Sequence, residues 1–327
     1  MQTKQLGNTS LHLTRIGFGS WAIGGGNWKF GWGHQDEQEA IDAIVTAVDH
    51  GINWVDTAAV YGGGQSEILV GKALKRLGSA RRPIVATKCG RVMRDPETID
   101  KVLKRESIIA ECEASLSRLG LDCIDLYQLH WPEPDEDIEE GWGALVDLKQ
   151  QGKVREIGVS NHNVRQLKRL QAIFPVGSLQ PPYSLIAPEA ENEILPFCGQ
   201  ENIGVVCYSP MYKGLLTGKF NVERAQTLPA SDHRSRDARF QSPQIEVHLG
   251  LVECLKNVAQ QSGRSLAELA IAWVLRRPEV TSAIVGARSP AQVLETIRAA
   301  DQDLTATDLV TIEQLRAGHR QALLHAS

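Results

Sequence analysis

The chain has 327 residues, of which 42% are hydrophobic and 23% are charged, with 35 basic and 39 acidic side chains. This composition excludes a disordered or collagen-like chain, and no apolar run approaches the about 20 residues that span a bilayer. The basic residues are scattered, so no nucleic-acid-binding stripe is visible. The polar segment 1–15 lacks the apolar core of a secretory signal, which predicts a cytoplasmic protein.

Short apolar or β-branched segments alternate with longer amphipathic segments along nearly the whole chain. This pattern is typical of a parallel sheet built from βα units. Eight strands are predicted, at residues 16–19, 53–56, 84–88, 125–130, 156–160, 178–180, 204–208 and 282–285. Predicted helices between them include residues 37–49, 67–77, 105–119, 138–149 and 164–173. Ser66 is expected to cap the second of these helices, and Gly51, Gly78, Gly120 and Gly152 are expected to end helices.

Eight alternations favour an α/β fold of the closed (β/α)8 TIM-barrel type, which needs about 250 residues. The remaining residues are assigned to three additions. They are an N-terminal β-hairpin at 6–13, a long loop after strand seven at 213–243, and a C-terminal helix and tail at 304–327. No low-complexity linker divides the chain, so residues 1–327 are expected to form one domain and, in the absence of a self-association stripe, a monomer.

Polar and aromatic residues follow nearly every predicted strand, where an α/β barrel places its active site. Asp56, Lys88 and His130 lie at three strand ends, and Tyr61 follows Asp56 on its loop. A lysine close to a tyrosine stabilises the phenolate and lowers its pKa, a carboxylate orients the lysine, and a histidine can bind a substrate oxygen. The alternatives are a plain buried ion pair between Asp56 and Lys88, and a His130 that is merely satisfied in the core.

Several motifs together resemble the aldo-keto reductase superfamily over nearly the whole chain. They are Gly17-Phe-Gly-Ser-Trp21, Asp56-Thr-Ala-x-x-Tyr-Gly62, Ala86-Thr-Lys88, Asp125-Leu-Tyr-Gln-Leu-His-Trp-Pro132, Gly158-Val-Ser-Asn161, Gln180-Pro-Pro-Tyr-Ser184, Tyr208-Ser-Pro210, Gly214-Leu-Leu-Thr-Gly-Lys219 and Gly286-Ala-Arg288. The chain is most similar to the bacterial branch of general-stress and sugar-metabolism reductases related to potassium-channel β-subunits. The resemblance implies Tyr61 as general acid, Lys88 and Asp56 as its tuning pair, and His130 as the group that orients the substrate carbonyl.

The same resemblance implies the cofactor NADPH (NADP+). Ser160, Asn161 and Gln180 would hold the nicotinamide carboxamide and Tyr208 would stack on the ring, while Arg288 would meet the adenosine 2′-phosphate. The remaining expected cofactor contacts are Gly19, Ser20, Trp21, Asp56, Ser209, Pro210, Met211, Lys213, Gly214, Leu215, Thr217, Lys219, Gly286, Ala287, Gln292 and Glu295. Thr296 departs from the asparagine that is common in the family. The alternatives are a flexible surface turn after strand seven and a solvated Arg288.

Aromatic residues after strands one and four predict an apolar substrate pocket beside the four catalytic candidates. They are Trp21, Trp28, Phe30, Trp32 and Trp131. Some of them could equally pack on neighbouring loops. A dinucleotide fingerprint, Gly17-x-Gly19-x-x-Ala22, is rejected because it does not open a helix. No His-Glu-x-x-His spacing or Cys-x-x-Cys pair occurs, so no protein-bound metal is predicted.

The sequence therefore predicts a reversible, NADPH-dependent reduction of aldehydes or ketones, with hydride from the nicotinamide and the proton from Tyr61. An alternative is an NADPH-binding redox sensor or accessory subunit with slow turnover. A third possibility, an unrelated phosphate-sugar barrel enzyme, would place its catalytic groups elsewhere.

Overall fold

Eight parallel strands close into a barrel in the computed structural model, which describes residues 1–301 and 303–326. The strands of this barrel are β3 (Ile16–Gly19), β4 (Trp54–Asp56), β5 (Ile84–Cys89), β8 (Ile124–Leu129), β9 (Val154–Ser160), β10 (Ser178–Gln180), β11 (Gly204–Tyr208) and β12 (Val280–Gly286). They follow one another around the barrel in chain order, and β12 pairs with β3 to close it. The predicted (β/α)8 fold is confirmed, with all eight strands close to their expected bounds.

Helices cover the outside of the barrel, except for a short one that lies in the long loop after β11. They are α1 (Glu37–Asp49), α2 (Gln65–Leu77), α3 (Arg105–Leu119), α4 (Ile138–Gln150), α5 (Val164–Gln171), α6 (Ile194–Gln200), α7 (Val222–Gln226), α8 (Gln244–Gln261), α9 (Leu266–Leu275), α10 (Pro290–Thr296) and α11 (Ala306–His325). The expectation for Ser66 was wrong, because Gly64 occupies the N-cap position of α2 with a φ of 99°. Ser66 lies inside the helix, and its hydroxyl oxygen is 3.0 Å from the backbone oxygen and 2.7 Å from the side-chain oxygen of Ser20.

The end of the barrel opposite the cleft is closed by an N-terminal hairpin of β1 (Thr3–Gln5) and β2 (His12–Thr14). Leu6, Leu11 and Leu13 are buried against inward-facing residues of the barrel, Trp54 among them. The Trp54 indole N–H donates to Ser282 Oγ at 3.0 Å. This apolar plug stabilises the closed end, so polar strand ends can face solvent only at the other end.

A second hairpin, which the sequence analysis did not predict, consists of β6 (Arg91–Asp95) and β7 (Thr98–Lys101). It follows β5 directly and stands on the rim at the C-terminal ends of the barrel strands. Its turn, Asp95-Pro96-Glu97-Thr98, is a recognisable turn sequence, since Asp and Pro both favour turns. The hairpin therefore adds a wall at the end of the barrel where the catalytic candidates lie.

The long loop after β11 is largely structured. It contains α7 and short 3-10 turns at Tyr212–Thr217, His233–Arg236 and Ala238–Phe240. It is joined to the loop after β3 by a β-bridge between Trp32 and Asp232 and by a hydrogen bond from His233 N to Gly31 O of 2.8 Å. The expected terminal helix is present as α11, which packs on α8, while Ser327 lies outside the described residues. None of the helices described is long and apolar enough to cross a membrane.

Candidate active site

The C-terminal ends of the barrel strands open into a cleft of about 1560 Å³. Pockets for one small ligand measure about 300–1,000 Å³, so this cleft has room for a larger ligand together with a small one. Of the four catalytic candidates, Asp56, Tyr61 and His130 line the cleft, and Lys88 lies directly behind Asp56. The structure therefore brings together all four residues that the strand ends indicated.

Lys88 and Asp56 form a buried ion pair across neighbouring strands β5 and β4. Lys88 Nζ lies 2.8 Å from both carboxylate oxygens of Asp56 and 2.8 Å from the carbonyl oxygen of Thr57. A lysine ammonium has three protons to donate. Two of them are taken by Asp56 and Thr57, and the third points to Tyr61 Oη, at 3.4 Å.

Tyr61 and His130 face each other across the floor of the cleft. Their ring centroids are 5.7 Å apart and the rings are nearly perpendicular, at 77°. Because the phenol oxygen of Tyr61 accepts from Lys88, the phenol proton is free to be donated elsewhere. A small polar atom between the two rings could contact both side chains.

Burial controls the ionisation of this group of residues. It raises the pKa of Tyr61 well above its ordinary value, with a smaller contribution from the negative charge of Asp56. Burial also lowers the pKa of Lys88, an effect that Asp56 opposes, and it lowers the pKa of His130, with Lys88 and Arg91 acting in the same direction. The sequence analysis expected Lys88 to lower the pKa of Tyr61, but burial and the charge of Asp56 raise it. Tyr61 is therefore a protonated phenol and His130 a neutral imidazole at neutral pH.

A connected group of hydrogen-bonding side chains lies beside the catalytic candidates at the ends of β9, β10 and β11. Tyr208 Oη donates to Asn161 Oδ1 at 2.9 Å, and Asn161 Nδ2 donates to the carbonyl oxygen of His130 at 3.0 Å. Gln180 Nε2 donates to Asp56 Oδ1 at 2.8 Å. These bonds tie the amide side chains expected to bind the carboxamide to the catalytic residues themselves.

Strained backbone is concentrated where these strands end. Asn161, Ser209, Tyr212 and Lys213 all have positive φ, at 63°, 56°, 47° and 54°. Residues other than glycine adopt this conformation at an energetic cost, and such residues cluster at functional sites. The strain turns the chain sharply at the ends of β9 and β11 and keeps both loops at the edge of the cleft.

The half of the cleft beyond Tyr208 is rich in positive charge. Basic residues that line it are Lys213, Lys219, Arg224, Arg234, Arg239 and Arg288. Lys213 Nζ is paired with Asp237 at 2.8 Å, and Lys219 Nζ is paired with Glu295 at 2.6 Å. The second pair connects the loop after β11 to α10, so the two segments expected to hold the pyrophosphate and the adenine meet across this half of the cleft.

The aromatic half of the cleft surrounds Tyr61 and adjoins the basic half, since Arg234 Cζ lies 4.6 Å from the centroid of the Trp32 ring and Lys213 Nζ lies 6.0 Å from that of Trp21. All five residues proposed for the substrate pocket line this aromatic half, namely Trp21, Trp28, Phe30, Trp32 and Trp131. The Trp21 ring stacks at 25° to Tyr61, with centroids 6.2 Å apart, and Trp28 lies at the same centroid distance from Tyr61. This half is apolar immediately beside the phenol of Tyr61.

Most of the expected cofactor contacts line the cleft, and a few do not. Those that do are Gly19, Trp21, Asp56, Ser160, Asn161, Gln180, Tyr208, Ser209, Pro210, Met211, Lys213, Gly214, Thr217, Lys219, Gly286, Arg288, Gln292 and Glu295. The side chains of Ser20, Leu215 and Ala287 are instead buried behind the wall, because each packs into the barrel core or bonds within it. Thr296 lines the cleft, and its hydroxyl donates back to its own helix.

Sequence reasoning missed the wall formed by the second hairpin. Arg91, Ile99 and Lys101 of this hairpin line the cleft together with Glu133, which pairs with both Arg91 and Lys101. The Asp-Pro turn was the signal that could have revealed it. Within residues 1–301 and 303–326 there is no cluster of three or more histidine, cysteine, aspartate or glutamate side chains that could hold a metal ion.

An eight-stranded barrel with a buried Lys–Asp pair beside a protonated tyrosine, next to a basic half-cleft, is the arrangement expected of a barrel oxidoreductase. A model of the aldo/keto reductase family matches residues 15–317. The chain therefore belongs to the aldo/keto reductase family, whose members reduce carbonyl compounds with a nicotinamide cofactor, and the resemblance noted in the motifs is confirmed.

Three relatives illustrate the similarity. The chain is 39% identical to aldo-keto reductase YhdN of Bacillus subtilis (strain 168), over 90% of this chain and 87% of the relative. It is 35% identical to the NADH-specific methylglyoxal reductase of Escherichia coli (strain K12), over 96% and 98%. Among solved structures, the glycerol dehydrogenase AKR11B4 of Gluconobacter oxydans superposes with a TM-score of 0.86 at 36% identity, covering 97% of this chain and 96% of that one.

Proposed function

We propose that the protein reduces aldehydes or ketones with NADPH, and that Tyr61 is the proton donor. The observation that carries the proposal is the contact between Lys88 Nζ and Tyr61 Oη. Since Lys88 already donates to Asp56 and Thr57, its remaining proton fixes the phenol oxygen as an acceptor. The phenol proton of Tyr61 is then directed to another acceptor, and we assign a substrate carbonyl oxygen in the cleft as that acceptor.

The residues present fit a bound dinucleotide. The basic half of the cleft supplies charge opposite to phosphate groups, and its glycines let backbone N–H groups approach closely. Gln180 offers both a donor and an acceptor, as an amide ligand requires, and no hydrogen bond from the described part of the chain reaches its Oε1. When bound, the nicotinamide would supply the hydride that reduces the carbonyl carbon.

The protein's own residues handle the proton and the developing charge. His130 is neutral, because burial lowers its pKa, and it can donate a hydrogen bond that orients the carbonyl oxygen. Tyr61 then transfers its proton to that oxygen, and the resulting phenolate is stabilised by the ammonium of Lys88, which Asp56 keeps charged.

Arg288 supports a preference for NADPH over NADH. It lies on the basic half of the cleft at the end of β12, where a guanidinium can bind a phosphate through several N–H groups at once. The Escherichia coli relative is named as NADH-specific, so the cofactor preference must be measured for this chain directly.

The test is consumption of NADPH and of NADH with a panel of aromatic, aliphatic and dicarbonyl aldehydes, for the parent protein and for Tyr61→Phe. The variant should bind cofactor as the parent does while kcat falls by about 10²- to 10⁴-fold, which is the usual contribution of a positioned general acid. Near-normal turnover in the variant would overturn the role of Tyr61. Tight NADPH binding without turnover on any compound would favour a redox sensor instead.

A further inference from the structure

The guanidinium of Arg288, which is proposed to bind the cofactor 2′-phosphate, also makes hydrogen bonds to other residues of the protein. Its Nε donates to Gln35 Oε1 at 2.7 Å, one terminal nitrogen donates to the carbonyl oxygen of Trp32 at 3.0 Å, and the other donates to the carbonyl oxygen of His34. All three acceptors belong to the segment 32–35 between β3 and α1. A side chain at the end of the last strand is thus held by the loop after the first strand of the barrel.

Gln35 contacts Arg288 reciprocally. While Gln35 Oε1 accepts from the guanidinium, Gln35 Nε2 donates to the backbone oxygen of Arg288 at 3.1 Å and to the backbone oxygen of Asp36 at 3.0 Å. Asp36 is the N-cap of α1 and accepts from Glu39 N. Gln35 is therefore fixed at the start of a helix and fixes both the backbone and the side chain of Arg288.

A guanidinium carries five N–H groups, of which Gln35, Trp32 and His34 occupy three. Among residues 1–301 and 303–326, no hydrogen bond from Arg288 uses the second N–H of either terminal nitrogen, so both remain available to phosphate oxygens. The contact with Gln35 Oε1 through Nε sets the plane of the group and hence the direction in which these N–H groups point. A guanidinium free to rotate would lose more conformational entropy when it binds a phosphate.

We infer that Gln35 is a positioning residue for recognition of the cofactor 2′-phosphate, acting through Arg288. The inference depends on the proposed NADPH-dependent function. It explains why a glutamine from outside the expected cofactor contacts pairs with the guanidinium, and it makes the loop after β3 a determinant of the preference between NADPH and NADH.

The experiment compares dissociation constants of NADPH and NADH, measured by quenching of the protein's tryptophan fluorescence, for the parent and four variants. Gln35→Met keeps the size of the side chain but removes its three hydrogen bonds, and should weaken NADPH binding about five- to tenfold and NADH binding less than about twofold. Gln35→Glu keeps the acceptor for Arg288 but adds a negative charge near the phosphate, so it should weaken NADPH binding further while NADH binding stays within about twofold of the parent.

Two controls separate the inference from the proposed function. Gln38→Met alters an exposed glutamine of α1 that donates to Asp42 and should leave both dissociation constants unchanged. Arg288→Ala should weaken NADPH binding selectively. If Arg288→Ala does so and Gln35→Met does not, the positioning role of Gln35 is wrong while the NADPH preference stands. If Arg288→Ala weakens NADPH and NADH equally, or neither, the proposed NADPH preference itself fails, and the role of Gln35 fails with it.

Discussion

Lys88 and Asp56, on adjacent barrel strands, form an ion pair in which Lys88 Nζ lies 2.8 Å from both carboxylate oxygens, and both residues are almost completely buried, at 1% and 3% exposure. Removing two opposite charges from water is expensive, and their attraction repays it only when the geometry and the remaining hydrogen bonds are good. Here Lys88 also donates to Thr57 O and Tyr61 Oη, and Asp56 also accepts from Gln180 Nε2. Since apolar residues of similar volume would often stabilise a barrel as well, the pair is better explained by its contact with Tyr61 than by stability alone.

Breaking this pair from one side should destabilise the protein strongly. Lys88→Met leaves Asp56 buried without its counter-charge, so the free energy of unfolding should fall by about 3–5 kcal/mol. Urea denaturation followed by circular dichroism measures the change. The double variant Lys88→Met with Asp56→Asn should recover part of the loss, because no uncompensated buried charge remains.

A partly exposed pair provides the control for this prediction. Lys256 and Glu253 form an ion pair on the surface of α8, and Lys256→Met should change the free energy of unfolding by less than about 1 kcal/mol. Similar losses for Lys88→Met and Lys256→Met would contradict the view that burial makes the Lys88 and Asp56 pair exceptional.

Two glycines should respond to alanine in opposite ways. A Cβ added to Gly17 in β3 would lie 2.0 Å from the Trp54 ring, which is itself fixed by Ser282. Gly17→Ala should therefore destabilise the protein by about 1–3 kcal/mol through overpacking. Gly143, inside α4, has no atom within 4 Å of the added Cβ, so Gly143→Ala should stabilise by about 0.5–1 kcal/mol. Thermal unfolding of both variants tests the pair, and equal shifts of Tm would refute the role assigned to Trp54.

Barrel strands were predictable because each buried segment is short, apolar and bounded by turn residues, as at Ile16–Gly19 and Gly204–Tyr208. Four of the five predicted helix starts match the structure, and α2 is the exception. Ser66 has the residue type of an N-cap, but the preceding glycines place the helix start earlier, at Gln65, and the Ser66 hydroxyl bonds across to Ser20 instead. The preference of serine for the N-cap position was therefore overridden by a contact with Ser20, a residue distant in the sequence.

Catalytic candidates were predictable for a related reason, since a residue at the end of a barrel strand can only face the cleft or the surrounding loops. The contacts between residues of different loops could not be predicted. Gln35 and Arg288 are separated by nearly the whole chain and meet only because β12 pairs with β3. The ionisation of Tyr61 likewise depends on its burial in the folded barrel, which the sequence alone does not reveal, and this burial raises its pKa where the sequence predicted that Lys88 would lower it.

The aromatic half of the cleft should distinguish substrates by shape. Trp28 is buried, and its ring lies 5.9 Å from Phe30 and 6.2 Å from Tyr61 between centroids. If the proposed carbonyl reduction is correct, Trp28→Leu should lower kcat/KM for benzaldehyde by about 2- to 10-fold, the value of one aromatic contact. Methylglyoxal, which has no ring to stack, should be affected less. Equal losses for both compounds would show that Trp28 maintains the site as a whole and does not select aromatic substrates.

Acid should destabilise the fold through histidines that are buried in the neutral form. Burial lowers the pKa of His162 from 6.5 to about 4, although its ring also bonds to the carbonyl oxygen of Ser160. Between these two values the unfolded chain binds a proton that the folded protein does not, so the stabilisation is present above pH 6.5 and is lost as the pH falls toward 4. His162→Asn preserves a donor for Ser160 but cannot be protonated. The drop in unfolding free energy from pH 7 to pH 5 should therefore be smaller in this variant by roughly 1–2 kcal/mol.

The exposed His12→Gln serves as the control and should keep the pH dependence of the parent protein. Urea denaturation at both pH values measures the difference, and an unchanged pH dependence in His162→Asn would mean that His162 titrates alike in the folded and unfolded chains.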